Sequence, residues 1–182
     1  MADGTPVKTS YDVSLIRPEL RFEDIRTRGR DFAPERLKAI KKGLLTLHNL
    51  ETMATNLYRF QITNKDTELN RTLIAAMANE MTHVQDFQVK LFEYGWKPSL
   101  FWWVYGIIGF KLGFFSRLLG EKMLLKAGIW VETKAVYHYG ELLRTIDWDT
   151  DTRKIIEKNQ ADEDGHINRW KELLRAHERQ TA

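Results

Sequence analysis

The sequence predicts an all-α protein: a bundle of four long helices with an extra hydrophobic hairpin inserted between the second and the third. Three observations point there. Apolar residues recur at steps of three and four through most of residues 35–182, the polar breaks "TNKD", "GWKP" and "DWDTDT" separate the periodic stretches, and no segment alternates as a strand does. With 182 residues, 43% of them hydrophobic, the chain suits one domain with a sizeable core.

Residues 1–34 read as a polar arm. They carry Pro6, Pro18 and the alternating charges of "RFEDIRTRGRDF", with no sustained helical period. An acid near the start and the lack of a continuous apolar run argue against a secretory signal, so a cytoplasmic protein is expected. The first helix begins at Pro34, a residue suited to a first turn, and its stripe runs through Leu37, Ile40, Leu44, Leu47, Leu50, Ala54 and Leu57. The second carries Leu69, Leu73, Ala76, Met77, Met81, Val84, Phe87 and Leu91, and "GWKP" stops it near Gly95. A third helix covers about Glu121 to Thr145, and "DWDTDT" supplies caps for a fourth that reaches the carboxyl end.

Between the second and third helices lies "SLFWWVYGIIGFKLGFFSRLLG", residues 99–120, the most apolar part of the chain. Lys111, Arg117 and four glycines break it, whereas a membrane-spanning helix needs about 20 mostly apolar residues, so a hairpin lying in a membrane interface is expected slightly ahead of one packed on the bundle, with a substrate mouth as a further reading. Trp102, Trp103 and Tyr105, with the two basic residues, are of the types that anchor at headgroup depth, and the same surface could pair subunits as a homo-oligomer. Basic and acidic side chains nearly balance, 28 against 25, without a dense Lys/Arg block, which argues against a nucleic-acid partner. The absence of cysteine excludes disulfides, thiolate zinc or iron–sulfur centres and a cysteine nucleophile.

Chemistry concentrates in two short repeats, "EMTH" at Glu80–His83 and "EDGH" at Glu163–His166. A carboxylate and an imidazole three residues apart share a helix face and can turn toward one point. One such pair is weak evidence, since it is often a surface contact. Two pairs are joined by a lone glutamate on each remaining helix, Glu51 in "LHNLETMATN" and Glu132 in "GIWVETKAVYHY", both among apolar residues where an unpaired carboxylate is costly. Glu, ExxH, Glu, ExxH is the ligand order of ferritin-like di-iron and di-manganese bundles. The halves echo each other further: Tyr58 and Tyr139 follow the lone glutamates by seven positions, and Phe87 and Trp170 follow the histidines by four. Four carboxylates offset two divalent cations, and an oxygen-rich set with one imidazole per ion favours iron, with manganese compatible, over structural zinc. Tyr58, Tyr139, His48 and His138 are candidates to orient ligands or substrate, or packing residues of the core; His177 in "RAHERQ" reads as solvated.

From Leu47 to Trp170 the chain resembles the demethoxyubiquinone hydroxylases of ubiquinone biosynthesis, a ferritin-like di-iron family. The resemblance is carried by "HNLE", "LYRFQ", Glu80xxHis83, the hydrophobic segment, "VETKAVYHY" and Glu163xxHis166. It implies hydroxylation of a prenylated quinol ring with O2 at two iron ions, the tail approaching from a membrane on whose inner face the protein sits peripherally. Reducing equivalents are implied to come from NADH or through the quinone itself, in keeping with a chain that has no GxGxxG fingerprint. A rubrerythrin-like oxidase or peroxidase and an iron-storage protein are the alternatives; neither has much use for "FWWVYGIIGF". The family's usual glycine-containing turn at the first glutamate is replaced here by "LHNLETMATN".

Overall fold

The computed structural model describes residues 22–181, so residues 1–21 of the expected arm lie outside it. Among the described residues there are five α-helices and no strand: α1 (Pro34–Gln61), α2 (Glu68–Glu93), α3 (Trp102–Leu118), α4 (Glu121–Thr145) and α5 (Thr150–Thr181). Their ends follow local chemistry. Pro34 opens α1, the Thr67 side chain accepts from Asn70 N to cap α2, and Asp149 Oδ1 accepts from Thr152 N at the head of α5.

The helices α1, α2, α4 and α5 enclose a core in two apolar layers. One contains Ile40, Leu44, Leu47, Phe87, Leu91, Leu143 and Ile156; the other contains Ala54, Leu57, Leu73, Leu124, Leu125 and Trp170. On each helix a buried glutamate falls between its contributions to the two layers: Glu51, Glu80, Glu132 and Glu163. The acidic belt therefore lies across the middle of the bundle, with hydrocarbon above and below.

The segment expected as a hairpin is a single helix. Its glycines do not interrupt it; they let α3 lie directly on α1. A Cβ at Gly109 would stand 2.1 Å from Met53 O, and one at Gly113 would stand 2.3 Å from Leu57 O. Gly109, Gly113 and Ser116 form the buried stripe of α3, and Gln61 Nε2 donates to Ser116 Oγ at 2.8 Å at its end. Small residues at this spacing permit backbone contact. The reversal into α4 comes at Gly120, whose φ of 92° suits glycine.

Residues 22–33 are held against the far end of the bundle. The Arg28 guanidinium, 6% exposed, meets Glu93 at 2.6 Å and Asp149 at 2.9 Å, while Arg28 N donates to Glu93 O at 2.8 Å. Lys90 Nζ reaches Glu93 at 2.7 Å from the other side.

Candidate metal centre

Six residues read from the sequence as ligands meet at one place. Glu51 from α1, Glu80 and His83 from α2 and Glu163 from α5 offer atoms within 4.8 Å of one another; so do Glu80, Glu132 from α4, Glu163 and His166. Glu80 and Glu163 belong to both groups, so the arrangement is two four-residue nests sharing two carboxylates. All four glutamates are at most 1% exposed.

The close approaches do not form ordinary hydrogen bonds. His83 Nδ1 lies 3.0 Å from Glu163 Oε1, and His166 Nδ1 lies 3.0 Å from Glu80 Oε1. Yet both Nδ1 atoms, both oxygens of Glu80 and of Glu163, and Glu132 Oε2 are buried without a hydrogen-bond partner among the described residues. Buried polar atoms are normally paired. Atoms crowded together while failing to bond each other fit a shared partner between them, and acceptor-only oxygens with imidazole nitrogens are the donor set of a divalent transition cation.

Electrostatics point the same way. Burial drives the Glu51 and Glu132 carboxyls well above the ordinary range, and the Glu163 charge pushes both further. Burial would raise Glu80 as well, but His166 and His83 outweigh it and hold that carboxyl low. Burial alone would lower His166, whereas Glu163 and Glu80 bring it up to about 10. Without cations the cluster balances its charge by keeping protons; two divalent cations would do the same work with the ligands deprotonated.

The surrounding contacts repeat across the two halves. Tyr139 Oη donates to Glu51 Oε1 at 2.6 Å, and Tyr58 Oη donates to Glu132 Oε1. Burial, followed by the Glu51 charge, pushes the Tyr139 phenol well above its ordinary value and keeps it a donor. Trp170 Nε1 in turn donates to Tyr58 Oη at 3.0 Å. Both tyrosines singled out in the sequence thus sit on the cluster. His138 stands further out: 43% exposed, with Nδ1 3.9 Å from Glu141 Oε2. His48 is buried three residues before Glu51 but does not join either group of candidate ligands, and His177, expected in solvent, lies 3.3 Å from Glu121 Oε1.

Asp162 went unread in the sequence. Its Oδ2 faces His83 Nε2 at 3.1 Å, so the imidazole presents Nδ1 to the cluster while the carboxylate fixes the opposite edge of the ring. The available signal was the acid immediately before Glu163 in "DEDGH".

A cleft of about 230 Å³ lies between α1 and α4, and its lining includes Glu51 with Leu50, Ala54, Trp130, Val131, Lys134 and His138. A larger cavity of about 420 Å³ lies between α1 and α2 beneath Trp102. On α3 and the residues before it, Leu100, Phe101, Trp103, Phe114, Phe115 and Leu118 are exposed. Among the described residues no helix is long and apolar enough to cross a membrane.

The chain is 28% identical over 165 residues to the 3-demethoxyubiquinol 3-hydroxylase of Legionella pneumophila (strain Corby), spanning 85% of this chain and 76% of that protein. It is 30% identical over 134 residues to the protein of the same name from Polaromonas sp., 71% of this chain and 63% of that one. To the NADPH-dependent 3-demethoxyubiquinone 3-hydroxylase, mitochondrial, of Dictyostelium discoideum it is 27% identical over 141 residues, 74% and 65% of the two chains. The family model "Ubiquinone biosynthesis protein COQ7" matches residues 40–182, a span that holds every residue of the acidic and imidazole cluster. On that match, the chain belongs to the COQ7 family of ubiquinone biosynthesis proteins.

Proposed function

We propose that this chain is a di-iron monooxygenase that hydroxylates the ring of a prenylated quinol in ubiquinone biosynthesis. The observation that carries this reading is the pair of buried four-residue nests, with a cleft beside them between α1 and α4 whose lining includes Glu51 and exposed Trp130. The names of the relatives supply the reaction class, ring hydroxylation of a demethoxyubiquinol.

Glu51, Glu80, His83 and Glu163 would hold one iron and Glu80, Glu132, Glu163 and His166 the other. When bound, the pair supplies the activation of O2 that a ring hydroxylation needs. One oxygen atom enters the ring C–H bond and the other leaves as water, with two electrons and two protons consumed. NADPH appears in the name of one relative, and a nicotinamide nucleotide is the reductant of this reading.

The protein's own groups have separable tasks. Tyr139 and Tyr58 fix the outer carboxylates, Glu51 and Glu132, by donating to one oxygen of each. Asp162 orients His83. Leu50, Ala54, Val131 and Ala135 make an apolar slot that excludes water and lays the ring beside Glu51. His138, at the open side of the cleft, is placed to exchange a proton with a ring hydroxyl. The exposed aromatic and aliphatic face of residues 99–120 is the element that rests on the inner face of a membrane, so the tail stays in lipid while the ring enters.

Complementation of a bacterial strain lacking its quinone hydroxylase tests this reading. The chain restores ubiquinone and a Glu132→Ala variant does not. Failure of the unaltered chain, together with peroxide consumption by the purified protein, would replace this function with that of a rubrerythrin-like peroxidase.

A further inference from the structure

We propose that the cavity between α1 and α2 is a second binding site, which takes an uncharged quinone or quinol ring and is separate from the cleft that borders Glu51. The cavity holds about 420 Å³, within the usual range for a small-molecule site. Among the described residues no Asp, Glu, Lys or Arg lines it, whereas Glu51 and Lys134 line the cleft. Burial keeps the His48 imidazole below its ordinary value, so this wall is neutral as well.

Two residues of the lining carry buried polar atoms without a hydrogen-bond partner among the described residues, His48 Nδ1 and Thr55 Oγ1. The His48 residue is 4% exposed, out of ready reach of bulk water. Leaving such atoms unpaired is costly, and a ligand with oxygen or hydroxyl groups would offset that cost. Gln85 and Gln88 add amides from α2, and Trp102 supplies an aromatic face at the rim.

This chemistry selects among ligands. A dinucleotide needs cationic partners for its phosphates, and the described residues of the lining supply none. A bare isoprenoid chain would leave the polar atoms unsatisfied. A flat ring with two opposed oxygens offers hydrogen bonds at its edge and apolar faces for Val84 and Trp102. The apolar head of α3 begins at this rim, next to exposed Leu100, Phe101 and Trp103, so a ring could enter from a lipid phase.

The two openings lie on different flanks of α1. His48, Thr52 and Thr55 face the cavity, and Leu50, Met53 and Ala54 face the cleft. A ring in the cavity and a ring in the cleft would thus meet different flanks of α1. That the ligand is uncharged rests on the cavity alone; that it is a quinone rests also on the proposed function.

The test is photolabelling of the full-length protein with an azido derivative of a tail-less dimethoxy-methyl-benzoquinone, with labelled peptides mapped by mass spectrometry. The expected result is saturable labelling on residues 48–56 and 81–102, displaced by the unlabelled quinone and not by NADPH. Labelling there should persist in Ala135→Trp, which fills the cleft, and fall about tenfold or more in Val84→Trp. The near-isosteric Thr55→Val, which removes only a hydroxyl, should weaken it about fivefold. Displacement by NADPH, indifference to both Val84→Trp and Thr55→Val, or no saturable label on these peptides would overturn the second site. If ring hydroxylation proceeds while that label is absent, this inference fails and the proposed function stands. If the label is present in a protein that neither binds iron nor hydroxylates, the proposed function fails and an uncharged-ring site remains.

Discussion

Tyr139 Oη donates to Glu51 Oε1 at 2.6 Å, joining α4 to α1 across the middle of the bundle. A Tyr139→Phe substitution preserves the packing and removes the donor. Unfolding free energy should fall by about 1–2 kcal/mol, the cost of leaving a buried carboxylate oxygen unpaired. Affinity for Fe(II) should fall about tenfold, because a freed carboxylate is no longer pre-oriented. Denaturant unfolding and metal titration measure the two separately, and an unchanged affinity would make the tyrosine a packing residue.

The close contact of α3 with α1 reverses the usual effect of replacing a helical glycine. Alanine ordinarily improves a helix by about 1 kcal/mol. At Gly109 and Gly113 the new Cβ would stand 2.1 Å and 2.3 Å from main-chain oxygens of α1, and backbone cannot swing away as a side chain can. Either substitution should therefore destabilise the protein by about 1–3 kcal/mol, seen as a lower urea midpoint. An increase in stability would show that α3 does not rest on α1 as described.

The exposed residues of α3 should mediate lipid contact. Trp103 and Phe115 are 52% and 57% exposed, so replacing both with serine costs little folding stability. Each should contribute on the order of 1–2 kcal/mol to partitioning, and sedimentation with liposomes should fall about tenfold or more in the double variant. Equal sedimentation of variant and parent would assign this face another purpose.

Acid should release the segment at residues 22–33 from the bundle. Burial alone would raise the Asp149 carboxyl, but hydrogen bonds from Thr152 and Tyr94 and the charge of Arg28 outweigh it and hold the group below its ordinary value. A depressed carboxyl contributes stability that is present above its unfolded value, about pH 4, and is lost as pH falls through the folded one. The parent should lose more stability than Asp149→Asn below about pH 4, and the two should run parallel above it. At neutral pH, Arg28→Met should cost about 3 kcal/mol by stranding buried carboxylates.

Much of this architecture was legible because periodicity and composition agree. The stripes of α1 and α2 ended where proline, glycine and short polar runs required, and buried Glu51 and Glu132 were conspicuous as acids among apolar neighbours. Less legible was whatever depends on contact between distant segments. The glycines of residues 99–120 read as breaks because their use lies in the approach of another helix, which no local pattern records. Asp162 was one acid among several until α2 placed His83 beside it. Arg28, in a stretch without helical period, takes its role from Glu93 and Asp149, far along the chain.

The most direct test of the central claim is metal content. Loaded anaerobically with Fe(II) and freed of excess ion, the protein should retain about two irons per chain. Glu80→Ala and Glu163→Ala, which remove carboxylates common to both nests, should each lower the retention of both ions rather than of one. A folded parent protein that retains no iron or manganese, or the same amount as these variants, would contradict the account.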